Sequence, residues 1–214
     1  MTLLITLSAF ALGIVLAVIL AAVRLYRVPV AKELASLYVS FVRGTPILIQ
    51  LLICNLVLPG FIWRITGINV GRLWPPVVFV VMAYALNSAA FLSEIFRSSV
   101  SGVEAGQSEA AYAVGMTGFQ SFIHVVFPQA VRIALPAVAN SMSSLLKDTS
   151  LAYSAAGVLD IMGMAAANAA LTFRYLEGYV CAAIVFFGLC LLLEWSFGRL
   201  NRRLSRGTAL AKGG

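Results

Sequence analysis

The sequence predicts an all-α integral membrane protein with five transmembrane helices, its N-terminus outside and its C-terminus in the cytoplasm. Of the 214 residues, 61% are hydrophobic and only 11% are charged, whereas an ordinary soluble domain has about 25% charged residues. The apolar residues form long runs, and a helix needs about 20 such residues to cross a bilayer. Basic residues cluster beside these runs, as they do in membrane proteins.

The expected spans all belong to a single transmembrane domain over residues 1–214. They cover residues 2–23, 46–63, 75–96, 133–153 and 179–200. Before the second span, Pro29 suits the first turn of a short helix that Arg43-Gly44-Thr45-Pro46 interrupts. The apolar stretch after this interruption is too short to cross a bilayer alone. The second span therefore either extends to about Trp63 or runs through the break at Pro46, and residues 60–73 are expected to form a short loop.

The distribution of basic residues predicts the orientation of the chain. With the N-terminus outside, the inner segments contain eleven basic residues and the outer loops contain three, a clear positive-inside bias. The inner residues are Arg24, Arg27, Lys32, Arg43, Arg97, Arg132, Arg199, Arg202, Arg203, Arg206 and Lys212, and the outer ones are Arg64, Arg72 and Arg174. The net charge of +7 is therefore interpreted as a topology signal and not as a sign of nucleic-acid binding.

The polar stretch between the third and fourth spans predicts a cytoplasmic helix–glycine–helix hairpin over residues 108–128. Ser108 suits an N-cap, and Glu109 at the next position complements the helix dipole. A short apolar helix over residues 110–114 is then expected to end at Gly115, since glycine readily adopts the left-handed conformation of a helix end.

The second half of the hairpin begins with a capping-box pattern, Thr117 followed three residues later by Gln120. We expect this second helix to end at Pro128. Apolar residues in a water-facing hairpin indicate a docking groove on another protein. A helix that lies on the membrane surface is the alternative interpretation.

This loop resembles the EAA motif of the membrane permease subunits of ATP-binding-cassette (ABC) importers. The matching residues are Glu109, Ala110, Ala111, Gly115, Val125, Phe127 and Pro128. Val125 and Phe127 are conservative departures from the Ile and Leu of the family pattern. Further segments within residues 43–46, 83–97, 128–136 and 145–151 resemble the polar-amino-acid branch, so that the resemblance covers most of residues 43–151.

The resemblance implies a type I ABC importer permease fold in the bacterial inner membrane. It also implies four kinds of partner: two ABC ATPase subunits, a second permease subunit that is the same or a different chain, an extracytoplasmic substrate-binding protein, and the lipid bilayer. In the family, the hairpin docks in a cleft of the ATPase, where Glu109 gives polar contacts and Gly115 forms the turn. Residues 87–94 are also similar to L-cystine permeases. Because the sequence has no G-x-x-x-x-G-K-[ST] phosphate loop, ATP hydrolysis is expected on a separate chain.

The fourth span contains two neighbouring ionisable residues, Lys147 and Asp148, followed by Thr149 and Ser150. Neighbours on a helix point about 100° apart, so the two charges do not face each other. Ionisable residues within membranes usually face a bundle interior or a water-filled cavity. These four residues are therefore candidates for a translocation pathway, in which a zwitterion needs both of its charges compensated. A structural ion pair with another span is the alternative.

The remaining chemically active residues predict no catalytic centre, metal site or cofactor. Glu94 and Arg97 have the spacing of a local helix salt bridge, and His124 is expected to be a surface or packed histidine. The cysteines have no metal-ligand spacing and are interpreted as small buried hydrophobic residues: Cys54, Cys181 and Cys190.

Two other function classes are alternatives to a transporter subunit. A gated channel is compatible with the spans alone. An intramembrane serine protease is disfavoured because the only histidine lies in the cytoplasmic loop. An aspartyl protease is disfavoured because Asp160 falls beyond the end of the fourth span.

The predicted orientation can be tested by thiol labelling after the native cysteines are replaced. We expect Gln107→Cys to react with a membrane-impermeant maleimide only when the cytoplasmic face is opened, because the positive-inside bias places it there. Gly67→Cys should react in intact cells. The reverse labelling pattern would reject the charge argument.

Overall fold

The computed structural model describes the backbone of residues 1–209 and the side chains of residues 1–203. The side chain of Arg206 and the whole of Lys212, two of the basic residues predicted to lie on the inner side, are outside this part. Five helical segments of the described chain are long and apolar enough to cross a membrane: Thr2–Leu25, Ile47–Thr66, Pro76–Ser101, Gly118–Ala156 and Tyr175–Arg203. The prediction of an all-α protein with five candidate membrane spans is confirmed.

The elements follow one another with short connections. The first half comprises α1 (Thr2–Leu25), α2 (Ala31–Gly44), α3 (Ile47–Leu52), a π-helical turn (Ile53–Val57), α4 (Leu58–Thr66), α5 (Val70–Leu73) and α6 (Pro76–Ser101). The second half comprises α7 (Ala105–Ala113), α8 (Gly118–Ser121), a second π-helical turn (Phe122–Val126), α9 (Phe127–Asp148), a 3₁₀ turn (Thr149–Leu151), α10 (Ala152–Ala156), α11 (Ile161–Thr172) and α12 (Tyr175–Ala209).

The structure resolves the path of the second span. Thr45 and Pro46 have extended backbones that end α2, and a new helix begins at Ile47. The span therefore does not run through the break but continues to Thr66. The loop expected over residues 60–73 is wrong, because the apolar residues after Gly60 continue α4 and Asn69 caps α5 by accepting a hydrogen bond from the Arg72 amide.

Both π-helical turns occur just before a proline. One residue separates the first turn from Pro59, and one separates the second from Pro128. Proline has no N–H to donate to the carbonyl four residues back, and its ring clashes with that carbonyl in a regular α-helix. The wider π turn relieves this conflict. The prediction that a helix ends at Pro128 is therefore wrong, and the helical segment of the fourth span begins at Gly118 instead of residue 133.

Helix α6 is the centre of the bundle, and α1 packs on it more extensively than any other element does. A small residue occurs at every fourth position of the contacting face of α1: Ala9, Gly13, Ala17 and Ala21 are all buried. A Cβ atom built on Gly13 would lie only 2.7 Å from the Ser88 Cβ and 3.3 Å from the Ala85 carbonyl oxygen. The two backbones are thus as close as small-residue motifs allow in membranes.

Hydrogen bonds from α6 and from its neighbours fix the surrounding helices. The buried Tyr84 donates its hydroxyl to the Asp148 carbonyl, at the point where α9 changes into the 3₁₀ turn. Tyr38 of α2 donates to the Leu86 carbonyl at 2.7 Å. Burial, and secondarily Cys54, raise the pKa of Tyr38 to about 12, so its hydroxyl remains a donor at all physiological pH values.

The close packing of α1 on α6 predicts a strong dependence of stability on Gly13. Gly13→Leu should lower the thermal midpoint of the detergent-purified protein, because overpacking of a close helix contact costs about 1–3 kcal/mol or more. Val15→Leu, on the exposed face of the same helix, should change stability by less than about 0.5 kcal/mol. Equal midpoints for the two variants, measured by size-exclusion chromatography after heating, would contradict the packing.

Candidate functional site

The predicted hairpin is present, but its first helix begins earlier than expected. Helix α7 starts at Ala105, with the Gln107 amide donating to the Glu104 carbonyl at 3.0 Å. The assignments of Ser108 as N-cap and Glu109 as first helical residue are therefore wrong, because both lie inside α7. Extension back to Ala105 adds intrahelical hydrogen bonds that a start at Ser108 would forgo.

The glycine turn of the hairpin and the start of its second helix agree with the prediction. Gly115 has a φ of +83°, in the left-handed region that side chains rarely adopt. In the capping box, the Gln120 amide donates to the Thr117 hydroxyl at 3.3 Å, and the Thr117 amide donates to the Gln120 side-chain oxygen at 2.8 Å. The connection between α7 and α8 is therefore defined by hydrogen bonds and by one glycine conformation.

The hairpin presents apolar side chains on its surface. Tyr112 is 55% exposed, Val114 is 75% exposed and Phe119 is 77% exposed. Glu109 and Ala110 are exposed as well, whereas Ala111 is buried against the rest of the chain. A cluster of large exposed apolar residues beside a carboxylate is typical of a protein-interaction surface.

The hairpin is held to the start of α9 by side-chain contacts. The Gln129 side-chain amide donates to the Gln107 side-chain oxygen at 3.2 Å and to the Val125 carbonyl at 3.0 Å. The Nδ1 atom of His124 lies 3.0 Å from the Gln120 carbonyl oxygen on an exposed part of the helix, which confirms a surface histidine. The helical path then continues without an extended residue from Gly118 to Ala156.

Helix α9 carries a polar stripe on its exposed face, defined by Asn140, Ser144 and Lys147. Their spacing of four and three residues places them in a line about 10 Å long on one side of a helix. Within the described residues, none of the three side chains forms a hydrogen bond or a salt bridge. Polar residues in a span that face away from their own chain require water or another protein chain, since lipid satisfies none of their polar groups.

The four candidate pathway residues have different environments. Lys147 is exposed, Asp148 and Ser150 are half-buried, and Thr149 is fully buried with its hydroxyl donating to the Leu146 carbonyl at 2.7 Å. Lys147 and Asp148 form no salt bridge in the described structure, in agreement with their divergence on the helix. The exposed surface therefore continues from the α9 polar stripe to Asp148 but does not include Thr149.

A polar network that the sequence analysis missed supports the break before the second span. The Gln50 side-chain amide donates to the Val42 carbonyl at 2.8 Å and to the Thr45 carbonyl at 3.1 Å. Asn87 of α6 donates to the Gln50 side-chain oxygen at 3.0 Å. These bonds satisfy carbonyl groups that the end of α2 leaves without helical partners. The amides at positions 50 and 87, unusual within apolar runs, were the available sequence signal.

An ion cluster joins α1 and α6 near their C-terminal ends. The predicted salt bridge between Glu94 and Arg97 is present, and an Arg24 Nη1 atom lies 2.7 Å from the second Glu94 oxygen. The sequence did not reveal Arg24 as a partner, because it lies 70 residues away along the chain. Two guanidinium groups thus hold one carboxylate about two turns before the end of α6.

The described residues contain no group of three or more His, Cys, Asp or Glu side chains that could hold a metal ion. The three cysteines are free, but the prediction that they are buried is wrong. Cys181 is exposed, and Cys54 and Cys190 are partly exposed. Their apolar surroundings in the sequence did not distinguish a face toward the bilayer from a face toward the core.

Comparison with known proteins identifies the family. The family described as "Binding-protein-dependent transport system inner membrane component" matches residues 13–206. The L-cystine transport system permease protein TcyL of Bacillus subtilis (strain 168) is 40% identical over 91% of this chain and 80% of its own length. The probable amino-acid ABC transporter permease protein PatM of Vibrio harveyi is 35% identical over 91% of this chain and 86% of its own length.

Solved structures share the fold. A chain from the crystal structure of an amino acid ABC transporter with histidines has a TM-score of 0.84 and 32% identity, covering 95% of this chain and 90% of that chain. A chain of the MetNI methionine ABC transporter in an inward-facing conformation has a TM-score of 0.74 at 17% identity, covering 95% of this chain and 92% of that chain. This second similarity establishes the fold alone.

These features define a membrane-embedded transport subunit, and the chain belongs to the family of binding-protein-dependent transport system inner membrane components. It is therefore a multi-pass permease subunit of an ABC importer in the inner membrane and not an enzyme, since ATPase function in this family lies in separate subunits. Membership also indicates that it functions with an ATPase and other ABC transporter components.

Proposed function

We propose that this chain forms one half of a translocation pathway for a polar amino acid, beside a second permease subunit. Two ATPase subunits drive the pathway through the hairpin of residues 108–128, and an extracytoplasmic binding protein delivers the substrate. L-cystine is the substrate to test first, because the relative TcyL, at 40% identity, is an L-cystine permease. All five spans belong to the single transmembrane domain over residues 1–214.

The observation that carries the proposal is the helical continuity between the hairpin and the polar stripe. The segment from Gly118 to Ala156 contains the second half of the hairpin at one end and Asn140, Ser144 and Lys147 farther along. A displacement applied to the hairpin would therefore move the polar stripe without an intervening flexible loop. Coupling of two distant sites requires a connected element with discrete arrangements.

The hairpin is suited to dock on an ATPase subunit. Its exposed Tyr112, Val114 and Phe119 would fill an apolar groove, and Glu109 and Ala110 lie at the same surface. Ala111 supports the hairpin from its buried side, Gly115 sets the angle of its turn, and Pro128 lies in the first turn of α9.

The pathway surface is formed by the α9 polar stripe together with Asp148 and Ser150. Lys147 and Asp148 offer one basic and one acidic group to a zwitterionic substrate, whose two charges each need compensation in a low-dielectric pathway. The buried Thr149 donates its hydroxyl to the Leu146 carbonyl and thereby positions the adjacent residues Asp148 and Ser150. The exposed face of α9 would be covered in the assembly by the second permease subunit and by the substrate.

The coupling role of the hairpin can be tested by transport of radiolabelled L-cystine into cells that express the complete transporter. Glu109→Lys and Gly115→Arg should reduce uptake by about 5- to 150-fold, the range of typical coupling energies, while the permease remains inserted. Gly115→Asn should retain more uptake than Gly115→Arg, because asparagine tolerates the left-handed conformation better than most residues.

Glu33→Lys is the matched control, since Glu33 is an exposed carboxylate on α2 outside the hairpin. Normal uptake in both Glu109→Lys and Gly115→Arg would mean that the hairpin lies on the membrane and does not transmit ATPase motion. If the unmodified transporter imports another amino acid but not L-cystine, the proposed substrate is wrong while the coupling role stands.

A further inference from the structure

The last described turns of α12 carry an aromatic and basic cluster, which we call the α12 arginine cluster. It comprises Trp195, Arg199, Arg202 and Arg203, which together line a surface cavity of about 410 Å³. Their spacing of four, three and one residues places them on one side of a helix. The cluster lies directly after the apolar part of the fifth span, at its predicted cytoplasmic end.

Two contacts organise these cations. The Arg199 guanidinium carbon lies 3.7 Å from the centroid of the Trp195 ring, within the range of a strong cation–π contact. The Arg202 Nε atom donates to the Gly198 carbonyl at 3.2 Å, and its Nη donors have no partner among the described residues. The stacking and the backbone hydrogen bond restrict both side chains before any ligand binds. Ligand binding therefore costs less side-chain conformational entropy.

The cluster has no acidic counterpart in the described structure. None of its three arginines forms a salt bridge with an acidic residue there, and Glu194, the nearest carboxylate in sequence, forms none with Arg199. Three adjacent guanidinium groups without a counter-ion repel one another and favour an anion with several oxygen atoms. Guanidinium binds phosphate through two parallel hydrogen bonds, which makes a phosphate group the best-matched ligand.

The position of the cluster indicates that this phosphate belongs to a lipid. Tryptophan is enriched at the membrane–water interface. The fifth span buries few of its residues inside the chain, so most of its surface faces away from the rest of the chain. Cytoplasmic leaflets contain anionic lipids that attract arginines beside a span. We propose that the α12 arginine cluster binds the phosphate of an anionic phospholipid in the inner leaflet, with Trp195 beside the glycerol backbone.

The proposal can be tested on the complete transporter complex, purified in mild detergent from membranes that contain phosphatidylglycerol. The triple variant Arg199→Gln, Arg202→Gln and Arg203→Gln should retain less phosphatidylglycerol than the unmodified complex by on the order of tenfold or more, as measured by native mass spectrometry. The matched control replaces three arginines that are predicted to lie on the outer side in the same way: Arg64→Gln, Arg72→Gln and Arg174→Gln. This control should retain the lipid.

A single variant keeps the test independent of folding defects in the triple variant. Arg199→Lys preserves the charge but loses the planar fork and weakens the stacking on Trp195, so it should retain an intermediate amount of lipid. Equal lipid retention in the triple variant and the control would overturn the proposal. Displacement of the bound lipid by inorganic phosphate at moderate concentration would also overturn it, because the site would then recognise a soluble anion. Loss of the second permease subunit without loss of lipid would identify the cluster as a subunit contact instead.

Discussion

The close approach of α1 to α6 is the constraint on which the rest of the structure depends. In a bilayer, apolar surface gains little by leaving lipid for protein, so helices associate through van der Waals packing and polar contacts. The small residues at every fourth position of α1 allow this packing, and Gly13 leaves no room for a Cβ atom against Ser88. Polar contacts hold both ends of α1, through Arg24 to Glu94 and through the Thr2 hydroxyl, which accepts a hydrogen bond from the Ile161 amide at 3.0 Å.

Because α6 is fixed in this way, it can position the irregular parts of the other spans. Asn87 reaches the Gln50 side chain that satisfies the end of α2, and Tyr84 reaches the end of α9. Backbone groups outside regular helices need partners within the protein at membrane depth. The Tyr84 hydrogen bond lies at the 3₁₀ turn beside Lys147 and Asp148, so the scaffold formed by α1 and α6 also determines where the proposed pathway surface ends.

The sequence was sufficient to predict features that depend on local chemistry. The five apolar spans, the hairpin, the left-handed Gly115 and the capping box of Thr117 all follow from neighbouring residues. The wrong helix boundaries occur where weak local signals compete. At Ser108, a residue suited to an N-cap lies inside a longer helix that begins at Ala105. At Pro128, a π-helical turn accommodates the proline, so that the helix does not end there.

Other features needed the tertiary structure. Arg24 could not be paired with Glu94 by spacing, because the two residues lie on different spans. Likewise, Ser143 and Ser144 are indistinguishable in the sequence, yet only Ser144 is exposed on the side of α9 that carries Asn140 and Lys147. The face that a membrane helix presents to its own core decides which of its polar residues can contribute to a pathway.

The most direct test of the account is the aqueous accessibility of the α9 polar stripe in the assembled transporter. In a background without native cysteines, Asn140→Cys and Ser144→Cys should react with a hydrophilic methanethiosulfonate reagent, at rates that change when ATP is added. Ser143→Cys, on the buried face, and Ile184→Cys, on the exposed apolar face of α12, should remain unreactive. If Asn140→Cys and Ser144→Cys were as unreactive as Ile184→Cys in both the presence and the absence of ATP, α9 would not line the pathway.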